Sequence, residues 1–156
     1  MMVNAVGKEC SEAMFAYLAG FLDADGAIMA FIEKHHEMKY GFRVRVVVKI
    51  TQKDRGILDW FAQKFKVGRV YKNRTTYEWM IKSKAEIKTL LEEVKPFLRV
   101  KKVQAENVLT IIDKVIENHK DLYEMAKIAD SLSKLNVRSE GRRLNHATMV
   151  KEYILP

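Results

Sequence analysis

The chain has 156 residues, and its 28 lysines and arginines outnumber 20 acids, for a net charge of +8 and an isoelectric point near 9.5. With 48% hydrophobic and 31% charged residues it reads as one globular domain over 1–156, core about 11–118 with further helices beyond, which excludes disordered, collagenous and disulfide-scaffold classes. A lone cysteine, Cys10, excludes an internal disulfide and a cysteine-based zinc site, and the surplus positive charge points to phosphate, nucleic acid first.

Residues 11–24 predict a helix, with Ser11 as N-cap and Glu12 in the first turn. Met14, Tyr17, Leu18, Phe21 and Leu22 recur at helical spacing as its apolar face. Ala16, Gly20 and Ala24 form a second line of small residues, along which another backbone could approach closely. From 27 to 35 the period changes to two. Ile28, Ala30 and Ile32 point one way, and Met29, Phe31, Glu33 and His35 the other. After a polar loop, 42–50 alternates again: Phe42, Val44, Val46, Val48 and Ile50 face a core, while Arg43, Arg45, Val47 and Lys49 face outward. The two runs predict a half-buried antiparallel hairpin.

Asp54 caps a predicted helix over 55–66, and Gly68 opens a second hairpin, about 69–74 and 77–82. There Val70, Tyr77, Trp79 and Ile81 suit a core, and Arg69, Tyr71, Asn73, Glu78 and Met80 suit an open face. Ser83 and Glu86 form a capping box for a helix over 84–95, stopped by Pro96. Further helices are predicted over 99–118, about 120–135 and 143–153, with a basic loop between the last two. His119, just past the 99–118 helix, reads as a favourable contact with that helix's C-terminal dipole. The order is α-β-β-α-β-β-α plus extra helices: an α+β domain with a curved antiparallel sheet whose polar, mostly basic face could lie in a DNA major groove.

The most informative segment is YLAGFLDADGAI at 17–28. Asp23 and Asp25 end the first helix, where acids oppose the macrodipole, so a nearby positive charge such as a hard divalent metal is implied. Gly26 predicts an exit through a left-handed cap. Leu18 through Gly26 resembles the LAGLIDADG motif of the homing endonuclease family, nearly unbroken. ITQK at 50–53 and KPFLRVKKVQAENVL at 95–109 are similar to the corresponding segments of single-motif, homodimeric members.

This resemblance implies the α-β-β-α-β-β-α fold and a sequence-specific double-strand DNA endonuclease of the intron-encoded homing type. It implies cleavage of a long pseudo-palindromic site by metal-dependent phosphodiester hydrolysis. It makes Asp25 the ligand of Mg²⁺ (or Mn²⁺), with the Ala24 carbonyl as a further ligand. Gln52 and Lys101 match positions that order or polarise catalytic waters, and Asp23 holds the helix end or the interface. Arg55 lies near a third basic position, with its spacing off by about one residue. Only one copy of the motif is present, so the resemblance implies a symmetric homodimer with Ala16, Gly20 and Ala24 at the closest approach.

Specificity is then assigned to Met29, Phe31, Glu33, His35, Arg43, Arg45, Lys49, Arg69, Tyr71, Asn73, Glu78 and Met80 on the hairpin faces, and backbone phosphate contacts to the loop of Arg138, Ser139, Arg142 and Arg143 with Asn145 and His146. The triplet Glu37-Met38-Lys39 looks like part of another nuclease class but falls in a predicted loop. An RNA maturase or a non-cleaving DNA-binding regulator on the same fold stays open as the alternative. No apolar run approaches the ~18 residues of a membrane span, and MMVNAVGKECSE has no secretory pattern. The expected setting is intracellular, an archaeal cytoplasm or an organelle interior, with double-stranded DNA as partner and no membrane or small-molecule cofactor.

Overall fold

The structure is a computed structural model that describes residues 10–136 and 145–154. Within them the elements run α1 (Glu12–Asp25), β1 (Gly26–Lys34), β2 (Phe42–Gln52), α2 (Arg55–Phe65), β3 (Arg69–Asn73), β4 (Thr76–Ile81), α3 (Lys84–Val94), α4 (Lys102–Asp113), α5 (His119–Asn136) and α6 (His146–Ile154). The strands form one antiparallel sheet in the order β1-β2-β4-β3, with Ile28 opposite Val48 and Ile50 opposite Trp79. The α+β architecture is the expected one.

Alternation decides the two faces. Ile28, Ala30, Ile32, Phe42, Val44, Val46, Val48, Ile50, Trp79 and Ile81 are all buried and meet the helices. Trp79 stacks on Phe61 and Phe65, and its indole N–H donates to the Val67 carbonyl at 2.9 Å, so the largest buried side chain keeps its polar atom satisfied. Helix α5 runs beside β1, the sheet's outer strand, and the Asn136 amide donates to the Ile28 carbonyl at 2.7 Å. That bond occupies one of the free edge groups a bare strand would present.

Three local expectations are corrected. The 99–118 helix runs only over Lys102–Asp113. Its start is displaced because the N–H groups of Arg99, Val100 and Lys101 are held by the Asp23 carboxylate. Its end is displaced because Asn118 begins the next helix: its side chain accepts from the Asp121 N–H at 2.9 Å, while Asp121 accepts from the Glu117 N–H at 3.0 Å. His119 therefore sits at the start of α5, where no C-terminal dipole acts on it; its ring packs edge-on against Tyr40. On the open sheet face, Glu78 is buried (8% exposed) rather than solvated, because Lys49 and Thr51 close over it.

Candidate functional site

Helix α1 buries Phe15, Leu18, Ala19 and Leu22 and leaves Ala16, Gly20 and Ala24 exposed. The Ser11 hydroxyl accepts from the Met14 N–H at 3.3 Å, as its N-cap role requires. At the other end the chain passes straight into β1. Gly26 has φ −91° and ψ 164°, so the expected left-handed cap is absent. The glycine is needed for space instead: a Cβ there would lie 2.7 Å from both the Cα and the carbonyl oxygen of Leu22. Gly20 is the opposite case, with nothing within 4 Å of where its Cβ would stand.

The two aspartates of the tip are used differently. Asp23 turns back toward the start of α4 and accepts from the backbone N–H groups of Arg99, Val100 and Lys101 at 2.8, 3.1 and 2.9 Å. Its own carbonyl accepts from the Lys101 ammonium at 2.6 Å. Asp25 is exposed, and its Oδ2 accepts from the Gln52 amide at 2.6 Å. Its Oδ1 has no hydrogen-bond partner among the described residues. The end of β2 and the start of α4 thus bring Gln52 and Lys101 to the tip of α1, where the sequence reading placed them. Arg55 is elsewhere engaged, paired with Asp59 at 3.1 Å and lying over the ring of Tyr77, the strand partner of Gln52.

The donor set suits a hard divalent cation only in part. Among the described residues no three His, Cys, Asp or Glu side chains gather as a metal site. One chain offers the Asp25 carboxylate and the last-turn carbonyl of Ala24, which has no helical partner of its own. Those oxygens fit a cation whose remaining ligands are phosphate oxygens, water or a second copy of the chain.

The open sheet face carries the other candidate residues. Glu33 stands opposite Arg43, accepts a hydrogen bond from it at 3.0 Å and forms an ion pair with Arg45 at 3.2 Å. The Arg45 guanidinium lies over Phe31. Lys49 donates to Glu78 at 2.8 Å. That bond is the main reason the Glu78 carboxyl is held below its ordinary value; burial opposes it and Asn73 adds a smaller lowering. Met29 faces Val47, which is buried although it points outward, so this face is not uniformly polar. Arg69, Tyr71 and Met80 line a hollow of about 240 Å³ with Lys82 and Glu86. His35 closes the strand, its N–H donating to the Gly41 carbonyl at 2.8 Å.

Three comparisons bear on this arrangement. The LAGLIDADG endonuclease family profile matches residues 18–113. The chain belongs to the LAGLIDADG endonuclease family. It is 36% identical to the DNA endonuclease I-CvuI of Chlorella vulgaris over 138 residues, 85% of this chain and 83% of that one. It is 30% identical to the DNA endonuclease I-CreI of Chlamydomonas reinhardtii over 131 residues, 81% of this chain and 80% of that one. Among solved structures, I-CvuI in complex with its target in the presence of Ca superposes with a TM-score of 0.82 at 32% identity, covering 92% of this chain and 93% of that one. The archaeal intron-encoded homing endonuclease I-Vdi141I, complexed with DNA, shares the fold at a TM-score of 0.78 and 23% identity, covering 93% of this chain and 99% of that one.

Within this LAGLIDADG endonuclease, sequence reading missed Lys82, which lies over the Tyr71 ring beside Met80; the period-two series 78, 80, 82 runs on past the strand and could have found it. Val103, which the helical spacing of 99–118 puts on an apolar face, is exposed, as is Val100. The phosphate contacts assigned to Arg138, Ser139, Arg142 and Arg143 lie outside the described residues. Of the two others, His146 is buried with its backbone N–H on the Asp130 carboxylate, and the Asn145 side chain accepts from the Thr148 N–H at 2.9 Å at the start of α6. No helix among the described residues is long and apolar enough to cross a membrane.

Proposed function

We propose that this chain is a sequence-specific DNA endonuclease of the intron-encoded homing type, acting as one domain per subunit in a symmetric homodimer with Mg²⁺ (or Mn²⁺). The observation that carries the reading is the Asp25 carboxylate at an exposed helix tip, fixed through one oxygen by Gln52 and without a partner on the other among the described residues, with the Lys101 ammonium anchored at the carbonyl of Asp23, two residues before it.

Asp25 and the Ala24 carbonyl would hold the divalent ion, which when bound supplies charge stabilisation at the phosphoryl group and a more acidic water. Gln52 sets the rotamer of Asp25, and its remaining amide groups can orient an attacking water. Lys101, with its ammonium at the Asp23 carbonyl, places a fixed positive charge where negative charge develops on the phosphate. Asp23 acts one step back, as the brace that keeps the start of α4, and so Lys101, against the tip.

One chain brings one such carboxylate, whereas cutting two strands calls for two. The exposed line of Ala16, Gly20 and Ala24 permits two α1 helices to approach. An isologous contact of this kind implies a two-fold pseudo-palindromic DNA site. The relatives named as DNA endonucleases, and the complex of I-CvuI with its target, support DNA over structured RNA as the polyanion. The cell interior, in an organelle or an archaeal cytoplasm, is the setting this reading requires.

The test is incubation of plasmid carrying the natural insertion site with Mg²⁺, beside Asp25→Asn. Wild type linearises the plasmid. The variant still binds, and its cleavage falls by about 10²–10³-fold or more, the scale for losing a principal electrostatic group. Cleavage that persists in the variant removes Asp25 from this role.

A further inference from the structure

Glu33 is an acid placed among cations on a surface read as meeting a polyanion. Both of its oxygens are engaged, Oε2 by the Arg43 guanidinium at 3.0 Å and Oε1 by that of Arg45 at 3.2 Å. Arg45 is held from its other side by the face of Phe31, 5.9 Å from the ring centroid. Phe31, Arg45, Glu33 and Arg43 therefore make one block across β1 and β2, with Glu33 directly opposite Arg43 and Phe31 directly opposite Arg45. The three charged side chains are 38–44% exposed, and pairs this exposed add little to folding. Stability does not account for the carboxylate.

Its effect on binding does. A free arginine on such a face reaches for the nearest phosphate, which gives affinity without sequence information. An arginine whose fork is tied to a carboxylate keeps a fixed plane, and its remaining N–H donors can meet a base edge but cannot swing to the backbone without breaking the pair. A fixed guanidinium suits bidentate donation to guanine O6 and N7. Arg43 and Arg45 are two residues apart on one strand, roughly 7 Å, close to two base steps of about 3.4 Å each.

We propose that Glu33 is a specificity-determining residue: it holds Arg43 and Arg45 as one base-reading unit that demands two guanines within about two base pairs in each half-site, and it withholds both arginines from phosphate. The inference rests on the DNA-endonuclease reading.

The test uses the full chain and a DNA pool randomised across the half-site, selected by binding without divalent metal, followed by affinity measurements over a range of salt. Wild type enriches the guanine pair. Glu33→Gln binds random DNA about 3- to 10-fold more tightly, its plot of log K against log salt steepens by about 1–2 as freed arginines take phosphates, and its enrichment for the guanine pair falls about 10-fold. Arg43→Gln and Arg45→Gln each lose one guanine of the pair while the other stays. These two variants decide the matter should Glu33→Gln fold poorly. A Glu33→Gln protein with unchanged salt slope and unchanged base preference, or a wild type with no guanine pair, overturns the inference alone. A wild type that binds no DNA of any sequence overturns the endonuclease reading beneath it.

Discussion

At the tip of α1 the Asp25 carboxylate has a neutral partner, Gln52, on one oxygen and, among the described residues, none on the other, whereas on the sheet Glu33 and Glu78 each meet cations directly. The same functional group is left short of positive charge in one region and saturated with it in the other. An acid held in shape by an amide is arranged to receive a cation from outside the chain. An acid surrounded by arginines and lysines is arranged to control the cations the chain already has. Asp23, only two residues from Asp25, shows a third use, with its charge taken up by three backbone N–H groups.

The contrast between Asp23 and Asp25 can be broken by two substitutions. Asp25→Asn costs catalysis about 10²–10³-fold or more and leaves folding stability within about 0.5 kcal/mol, since an exposed group with one replaceable hydrogen bond is changed. Asp23→Ala does the reverse in emphasis. It strips the start of α4 of its acceptor and lowers stability by about 1–3 kcal/mol in denaturant titration, with slower cleavage following from a displaced Lys101. Equal effects of the two on melting would erase the distinction drawn between them.

Gly20→Ala sharpens the same comparison from the outer side of α1. Nothing lies within 4 Å of the added methyl in one subunit, so the change stabilises the isolated fold by about 0.5–1 kcal/mol through helix propensity. In a dimer joined along Ala16, Gly20 and Ala24 it separates the helices, and sedimentation shows a shift to monomer with loss of double-strand cleavage. Unchanged mass and cleavage would move the interface off this stripe.

The smallest effect concerns Glu78. Its carboxyl is lowered from an ordinary value of 4.5, chiefly by the hydrogen bond from Lys49. A lowered folded value means the charged form is favoured in the native state. The stabilisation is present above the ordinary value and is lost as pH falls through the lowered one, and an ion pair of this kind is worth about 0.2–1 kcal/mol. Wild type therefore loses a little more stability on acidification than Glu78→Gln, which equilibrium unfolding at graded acidic pH reads directly.

Much of this was legible along the chain. Period-two alternation named the buried face of the first hairpin, because side chains on a strand alternate and only one face meets a core. In the second it named Trp79 and Ile81, while Val70 and Tyr77 are only partly buried. Val47 and Glu78, read as outward, are buried. Ser11, Asp54 and Ser83 marked helix starts because the cap bond is local, three residues or fewer. LAGFLDADG and its companions at 50–53 and 95–109 identified the family, which the profile match bears out. The local pattern at 114–121 also held a usable signal, the Asn118–Asp121 capping box, which outweighed the apolar run that had suggested one long helix.

Tertiary structure decided what depends on distant atoms. Gln52 meets Asp25 across 27 residues and Lys101 meets Asp23 across 78, bonds that leave no periodic trace. That Gly26 serves close packing and not a left-handed turn follows from where Leu22 stands once the helix is built. The burial of Glu78 and the sharing of Glu33 between two arginines follow from strand register. An alternating pattern says which way a side chain points, but only the pairing of strands says which charge it will find there.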